Sequence, residues 1–310
     1  MNETKISLRT KYFQTTKSLE LSQTRRRELF LKTQEERRTD QFEKLRESIV
    51  GKILKENNET KMNKNKKKVS KTAKKYANQL ILPEILEEVP SKMLTEYFAV
   101  PYPKQSKRCL VIANRGHTIS RNLDGTMIED FQSALPGGSF SNRLSRNPKI
   151  YCVLDCLRVE SMIGKKQNNS NYMNKDLTNF ENEKQDEEQE ETEKETKEIT
   201  YYVLDLMSWN GVNYFKATAE FRFFWLEVKL QEEGEGITKV SKKNTYPFVA
   251  LPHKHLSIKN LNDIKNNNSD ECEGILFYHY QCLYLPDNNP LVCYILFDEI
   301  QELIDNIEKL

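Results

Sequence analysis

Lys107-Arg-Cys-Leu-Val-Ile-Ala-Asn-Arg-Gly116 is the stretch whose reading decides the fold. An apolar run rich in β-branched residues that stops at an Asn-Arg-Gly turn is the pattern of a buried strand entering a tight loop. Outward from it the same pattern returns at Ile150-Tyr-Cys-Val-Leu-Asp155, Tyr201-Tyr-Val-Leu-Asp205, Phe221 to Lys229 and Gly274 to Tyr280. In Phe221-Arg-Phe-Phe-Trp225, alternation sets Phe221, Phe223 and Trp225 on one face and Arg222, Phe224 and Leu226 on the other. That spacing predicts a strand in a sheet covered on both sides.

The strands occupy only part of the chain. Of 310 residues, 30% are charged and 37% hydrophobic, and mean hydropathy is −0.75, so the folded core is smaller than the whole. The net charge of +2 hides a segregation of sign. Met1 to Lys75 carries 22 Lys/Arg against 10 Asp/Glu, whereas Asp176 to Glu198 carries 11 acids against 3 lysines. The acidic tract lies within residues 164–199, read as a disordered insertion in a surface loop. No apolar run approaches the roughly 18 residues a membrane span needs, and no secretory leader is visible. Six cysteines without a CxxC pair read as reduced core residues of an intracellular protein.

Ahead of the strands, Thr24 to Lys55 contains no proline and one glycine, with Ser22 and Thr24 as capping hydroxyls before Arg25-Arg26-Arg27. The spacing predicts one long helix. Its apolar positions Phe42, Leu45, Ile49 and Ile53 form a narrow stripe among Arg37, Arg38, Lys44 and Arg46, too little to pack on its own domain, so a partner is expected. The chain therefore divides into a basic helical region over residues 1–56, a flexible basic linker over 57–74 and a folded domain over 75–310.

The order of strand-end signatures resembles that of nucleotidyltransferases that form a lysyl-nucleotide, the RNA capping enzymes and polynucleotide ligases. The resemblance implies an α+β fold, an antiparallel-sheet domain preceded here by a long basic helix. In that superfamily a lysine amine attacks an α-phosphate. Ala113-Asn114-Arg115-Gly116 stands where the Lys-x-Asp-Gly loop would be, and Leu291-Val-Cys-Tyr-Ile-Leu296 carries no lysine where the final motif would. Neither position offers a nucleophile, so a binding module rather than an enzyme is expected.

Lys75-Tyr-Ala-Asn-Gln-Leu80, Leu135-Pro-Gly-Gly138, Tyr201 to Asp205 followed by Trp209 and Gly211, Glu220-Phe-Arg-Phe223 and Gly274-Ile-Leu-Phe-Tyr-His279 narrow the resemblance further. Together, in this order, the chain is similar to the snurportin family of nuclear import adaptors. The resemblance implies a monomer without cofactor or metal, shuttling between nucleus and cytoplasm, that binds the trimethylguanosine cap of U snRNAs and links the snRNP to importin-β. It also implies an exportin for recycling, although only about a dozen residues precede Tyr12, where the family carries its export segment. Importin-β would take the region from Tyr12 to Leu45 through Arg25, Arg26, Arg27, Arg37 and Arg38.

For the cap, the family tryptophan that stacks on the methylated base falls at Tyr294, a second at Ile85, the pocket serine at Pro83 and a basic pocket residue at Leu123. Arg108 keeps the family's arginine and is expected on a cap phosphate, with Arg115 bordering the pocket. Trp209 and Trp225 accompany strand patterns and read as core, and Asp155 and Asp205 read as satisfying loop amides. His117, His253, His255 and His279 show no metal-ligand spacing. Two other readings stay open: a divergent RNA guanylyltransferase or ligase-like enzyme, and an import adaptor for protein cargo that has lost cap binding.

Overall fold

Alternating burial along the central strands builds two facing sheets. The structure is a computed structural model and describes residues 21–36, 73–141, 145, 147–162, 197–267 and 271–309. Among these, strand β3 (Lys107–Asn114) turns Leu110 and Ile112 toward the opposite sheet and Cys109, Val111 and Ala113 toward an outer helical layer. Both faces are therefore apolar, as a strand buried on both sides requires.

The larger sheet has the order β5-β4-β3-β6-β7-β8, with β4 (His117–Arg121), β5 (Met127–Phe131), β6 (Tyr151–Met162), β7 (Lys197–Trp209) and β8 (Val212–Asn213); β9 (Phe248–Ala250) joins β7 in parallel. The smaller sheet is ordered β1-β12-β11-β2-β10, with β1 (Ile81–Ile85), β2 (Tyr97–Pro103), β10 (Lys254–His255), β11 (Cys272–His279) and β12 (Asp287–Leu296). Apart from β1–β12 and β7–β9, the described pairings are antiparallel.

Between the sheets lies a core of Leu110, Ile112, Val153, Leu204, Leu276, Tyr278, Tyr284 and Tyr294. Outside the larger sheet pack α3 (Ala219–Glu233) and α4 (Glu235–Thr238); outside the smaller one pack α2 (Met93–Glu96), α5 (Ile258–Asn267) and α6 (Ile300–Ile307). The α+β class with antiparallel sheets is what the chain adopts, and the strands expected around Lys107, Ile150, Tyr201 and Gly274 are all present.

The fifth expected strand is not. Phe221 to Lys229 lies inside α3, where Ala219, Arg222, Phe223, Leu226 and Leu230 recur at helical spacing on the buried side. Thr218 accepts the Phe221 amide to start this helix, and Gly234 ends it at φ 56. The apparent two-sided strand is a helix with aromatic residues on both its faces, and Phe221 and Phe224 are 47% and 62% exposed. A smaller correction concerns the acidic insertion: Lys197 to Ile199 belong to β7, pairing with Glu160 to Met162, so the excursion is shorter than 164–199. Residues 163–196 lie outside the described residues.

The basic helix is described as α1 (Gln23–Glu36) and begins as expected, with Ser22 Oγ accepting the Arg25 amide. Its continuation, including Arg37, Arg38 and the Phe42–Ile53 stripe, lies outside the described residues, as does the linker up to residue 72. Contrary to expectation, α1 packs on its own domain. Apolar burial contributes only through Phe30 and Leu31; polar side chains supply the remaining contacts.

Candidate functional site

Strand β1 lies parallel to β12 with Ile85 opposite Tyr294 and Pro83 opposite Asn289, and a register shift follows Pro83. Ile85, Leu123 and Tyr294 share the inter-sheet core. Leu123 reaches it from the β4–β5 turn, its carbonyl accepting the Asn78 amide at 3.0 Å. That turn lies so close to residues 73–77 that a Cβ on Gly125, at φ +80, would stand 1.9 Å from the Ala73 carbonyl. Ile85 and Tyr294 thus stand side by side, whereas Leu123 enters the same inter-sheet core from the turn beside residues 73–78, ahead of β1.

Their side chains fill it. Tyr294 is 1% exposed, its ring edge-on to Tyr102 at 5.7 Å. Its hydroxyl lies over Gly274, 2.4 Å from where a Cβ would stand, so the glycine makes room for the phenol. A ring in this position offers no open face to a base; stacking on Tyr294 requires the cluster to part. Pro83 and Ile85 are buried too.

Arg108 projects into the same inter-sheet layer and is already paired. Its Nε and Nη2 donate to the two Asp155 oxygens at 3.0 and 2.6 Å, and Tyr284 Oη donates to Asp155 at 2.9 Å. Burial disfavours the arginine cation, yet the adjoining carboxylate holds Arg108 above its usual range. A phosphate would have to displace Asp155, because a guanidinium this enclosed has its fork occupied. A second buried pair stands beside it: Arg222 of α3 binds Asp205 through two bonds of 2.8 Å and donates to the carbonyls of Ala217 and Cys282. Asp155 and Asp205 therefore serve mainly as counter-ions of buried arginines; Asp205 also takes one amide, that of Leu206, at 2.7 Å.

Arg115 is not brought to this group. It sits in the β3–β4 turn at φ 53, the opposite end of β3 from Arg108, roughly 20 Å away at the rise of an extended strand. Its Nε is buried without a hydrogen-bond partner among the described residues. Next to it Ala113 is fully buried.

At the outer side of β1 and β12 the α1 helix is held by residues the sequence did not single out. Arg26 Nη2 meets Glu84 Oε2 at 2.6 Å, and Gln23 Nε2 donates to the same carboxylate at 3.0 Å and to the Ile85 carbonyl at 2.8 Å. Arg27 donates to the Glu88 carbonyl at 2.8 Å and touches Cys293 Sγ at 3.5 Å. Glu88 accepts the Thr24 amide at the helix start, which holds its carboxyl below the usual range. At the far end Gln34 brackets the Gln281–Leu283 turn. Arg25 instead points to solvent, paired with Glu28 among the described residues. An acid within an apolar strand, as in Ile81-Leu-Pro-Glu84-Ile, was the available signal for this dock.

Elsewhere, all six cysteines are free and buried. No group of three or more potential metal ligands occurs among the described residues, and none of their helices is long and apolar enough to cross a membrane. Trp209 is buried as expected, whereas Trp225 lines a surface cleft.

Compared with known proteins, residues 79–164 and 170–296 match the family model described as Snurportin1, m3G cap-binding domain. Among solved structures, the chain is similar to a mycobacterial DNA ligase D complexed with ATP and MES (12% identity, TM-score 0.41, 69% of this chain and 58% of that one). It is similar as well to the ligase domain of M. tuberculosis LigD (12%, 0.41, 71% and 59%) and to the ATP-dependent DNA ligase of bacteriophage T7 in complex with ATP (10%, 0.42, 71% and 69%). The chain thus spans under two thirds of the two mycobacterial structures.

Proposed function

The chain belongs to the Snurportin1 m3G cap-binding-domain family, and from that premise we propose that it is a non-enzymatic nuclear import adaptor, joining a trimethylguanosine-capped U snRNP to importin-β and moving between cytoplasm and nucleus. The observation that carries this reading is the family match across both sheets, from the start of β1 to the end of β12. The arginine run of α1 supports the carrier half, since arginine-rich helices accumulate charge-assisted contacts on an acidic surface. With alanine at position 113, no amine is present there to attack an α-phosphate, which favours binding over transfer.

In this reading α1 has two alternative surfaces. Arg26 and Arg27 cannot face a carrier while they hold Glu84 and the Glu88 carbonyl, so carrier binding draws the helix off the β1–β12 edge. Ile85 and Tyr294 lie on the inner face of that edge, and in this reading loosening of the edge itself, once α1 has left its outer face, opens a face of Tyr294 to the methylated base. A cationic base gains both stacking and cation–π attraction there.

The test is a titration of the full chain with trimethylguanosine, monomethylguanosine and unmethylated cap dinucleotides, with and without importin-β. Preference for the trimethyl cap, strengthened by importin-β, supports the proposal; equal weak responses to all three refute cap recognition. A second reading, an adaptor for protein cargo without cap binding, draws on the closed packing of Tyr294. It gains if importin-β binds and no cap does. A covalent adduct after incubation with labelled GTP or ATP would overturn the non-enzymatic assignment.

A further inference from the structure

Helix α3 keeps an apolar face that the fold does not use. Its inner side buries Ala219, Phe223, Leu226 and Leu230, yet Phe221 and Phe224 lie on the outer side and Trp225, packed against the core along one edge, is only partly covered. Phe224 and Trp225 stack at 6.2 Å with 13° between planes, and Phe221 meets Trp225 edge-on at 6.0 Å. Trp225 also forms one wall of a cleft of about 380 Å³, shared with Trp209, Val212 and Tyr214 and rimmed by Glu232 and Glu233. This volume falls in the lower range of small-ligand pockets. Val212, from β8, is 56% exposed at its mouth.

The charges around the cleft identify what would fill it. The last turn of α3 has no basic residue and ends on Glu232 and Glu233, followed by Glu235. Carboxylates at the negative end of a helix oppose its dipole, so the placement costs stability unless a cation is supplied. Lys229 supplies part of it: its Nζ lies 4.6 Å from the Trp225 ring centroid and 2.7 Å from Glu232. Lys239 pairs with Glu235. Glu233 forms no ion pair among the described residues; desolvation at the cleft wall and the adjacent Glu232 hold its carboxyl above the usual range.

We propose that this cleft is a docking site for an arginine-bearing peptide segment of a partner protein, one guanidinium lying on Trp225 and pairing with Glu233. Lys229 now holds the ring, with Phe224 stacked beside it, so the incoming guanidinium takes the place of the Lys229 ammonium, which can swing out on its flexible stem toward Glu232; a guanidinium, planar and weakly hydrated, stacks on an indole better than an ammonium does. Phe221, Phe224 and Val212 would cover the aliphatic stems and backbone of the segment. Nucleic acid is disfavoured, because Glu232 and Glu233 would face its phosphates. The site lies apart from the β1–β12 edge and stands independently of the cap-binding reading.

The experiment titrates the full chain with a synthetic arginine–glycine repeat peptide, following tryptophan fluorescence. A lysine–glycine peptide, a single-stranded RNA and the trimethylguanosine cap dinucleotide serve as comparators. The arginine peptide is expected to bind, salt-dependently and more tightly than the lysine peptide. Trp225→Ala and Glu233→Lys should each weaken it roughly ten-fold while leaving any cap response unchanged. Glu233 is exposed, so its reversal keeps the test valid if Trp225→Ala fails to fold. No binding of the arginine peptide, equal binding by Glu233→Lys, or displacement of the peptide by RNA would overturn the proposal.

Discussion

Replacing Glu84 by glutamine isolates the attachment of α1, because Glu84 sits on β1 and not on the helix it holds. Its carboxylate accepts from Arg26 at 2.6 and 3.3 Å and from Gln23 at 3.0 Å, with side-chain exposures of 6% for Glu84 and 13% for Arg26. Glutamine keeps the size and one acceptor but removes the charge. Hydrogen bonds to charged groups contribute about 1.5–3 kcal/mol, and the partial exposure of Arg26 places this one near 2 kcal/mol. That corresponds to roughly a thirty-fold shift from docked to free helix. Hydrogen exchange reads it directly: the amides of Arg26 to Gln34 should exchange faster in Glu84→Gln, with β3 and β6 unchanged. Capture by importin-β should rise in parallel, since the variant leaves every arginine of α1 in place. Unaltered exchange in α1 would refute the view that this ion pair holds the helix, and a Glu308→Gln control at an exposed site should change nothing.

Other perturbations probe the same structure. Lowering pH should loosen α1 as well: Glu88 has a depressed pKa in the fold, so its contribution is full above its ordinary value of 4.5 and is lost as pH falls through the lower folded value, which α1 exchange at pH 4 against pH 6 would detect. His253 gives a second acid sensitivity. Burial pushes it down to about 4; its ring stacks on Phe223 at 3.8 Å and its Nε2 contacts the Leu204 carbonyl at 2.9 Å. Between about 6.5 and 4 the unfolded chain takes up a proton that the fold refuses, so stability falls as pH falls through that window by on the order of 3 kcal/mol, and His253→Phe should flatten the pH dependence of Tm. Asp205→Asn strands Arg222 in the interior and is expected to cost about 3–5 kcal/mol in urea unfolding; a change under 1 kcal/mol would contradict the pairing. Gly274→Ala should destabilise strongly and resist rescue by Tyr294→Phe, because its Cβ would lie 2.2 Å from the Ile295 carbonyl as well as against the tyrosine hydroxyl.

Strands with apolar residues on both faces were legible in the sequence, because Leu110 and Val111 can both be apolar only if each side of β3 is covered. The α3 segment was not, for the same reason inverted. Phe221 and Phe224 supply apolar residues on the solvent side and erase the helical periodicity, although Thr218 and Gly234 marked both ends. The family resemblance implied one pocket for Pro83, Ile85, Leu123 and Tyr294; the pairing of Ile85 with Tyr294 and the closure of Tyr294 over Gly274 were not legible, since both depend on contacts between strands. The partners of Arg108 and Arg222 were likewise hidden: Asp155 lies 47 residues from one and Asp205 lies 17 from the other, and no local pattern couples them. For α1, the scarcity of apolar residues pointed to an external partner. A helix can also be held by a few buried polar side chains, and Gln23, Arg27 and Gln34 are those.

The long β6–β7 hairpin has a use in the laboratory. Its strands stay paired out to Met162 opposite Lys197, so the two ends of the intervening excursion are fixed side by side whatever joins them. The entropy of closing such a connection grows only slowly with its length. Residues 163–196 therefore mark a port at which a short glycine linker, an affinity tag or a fluorescent protein should be accommodated. A reporter placed there would be tethered to the larger sheet, whereas α1 docks on the β1–β12 edge of the smaller one, and could follow the separation of that helix from its edge.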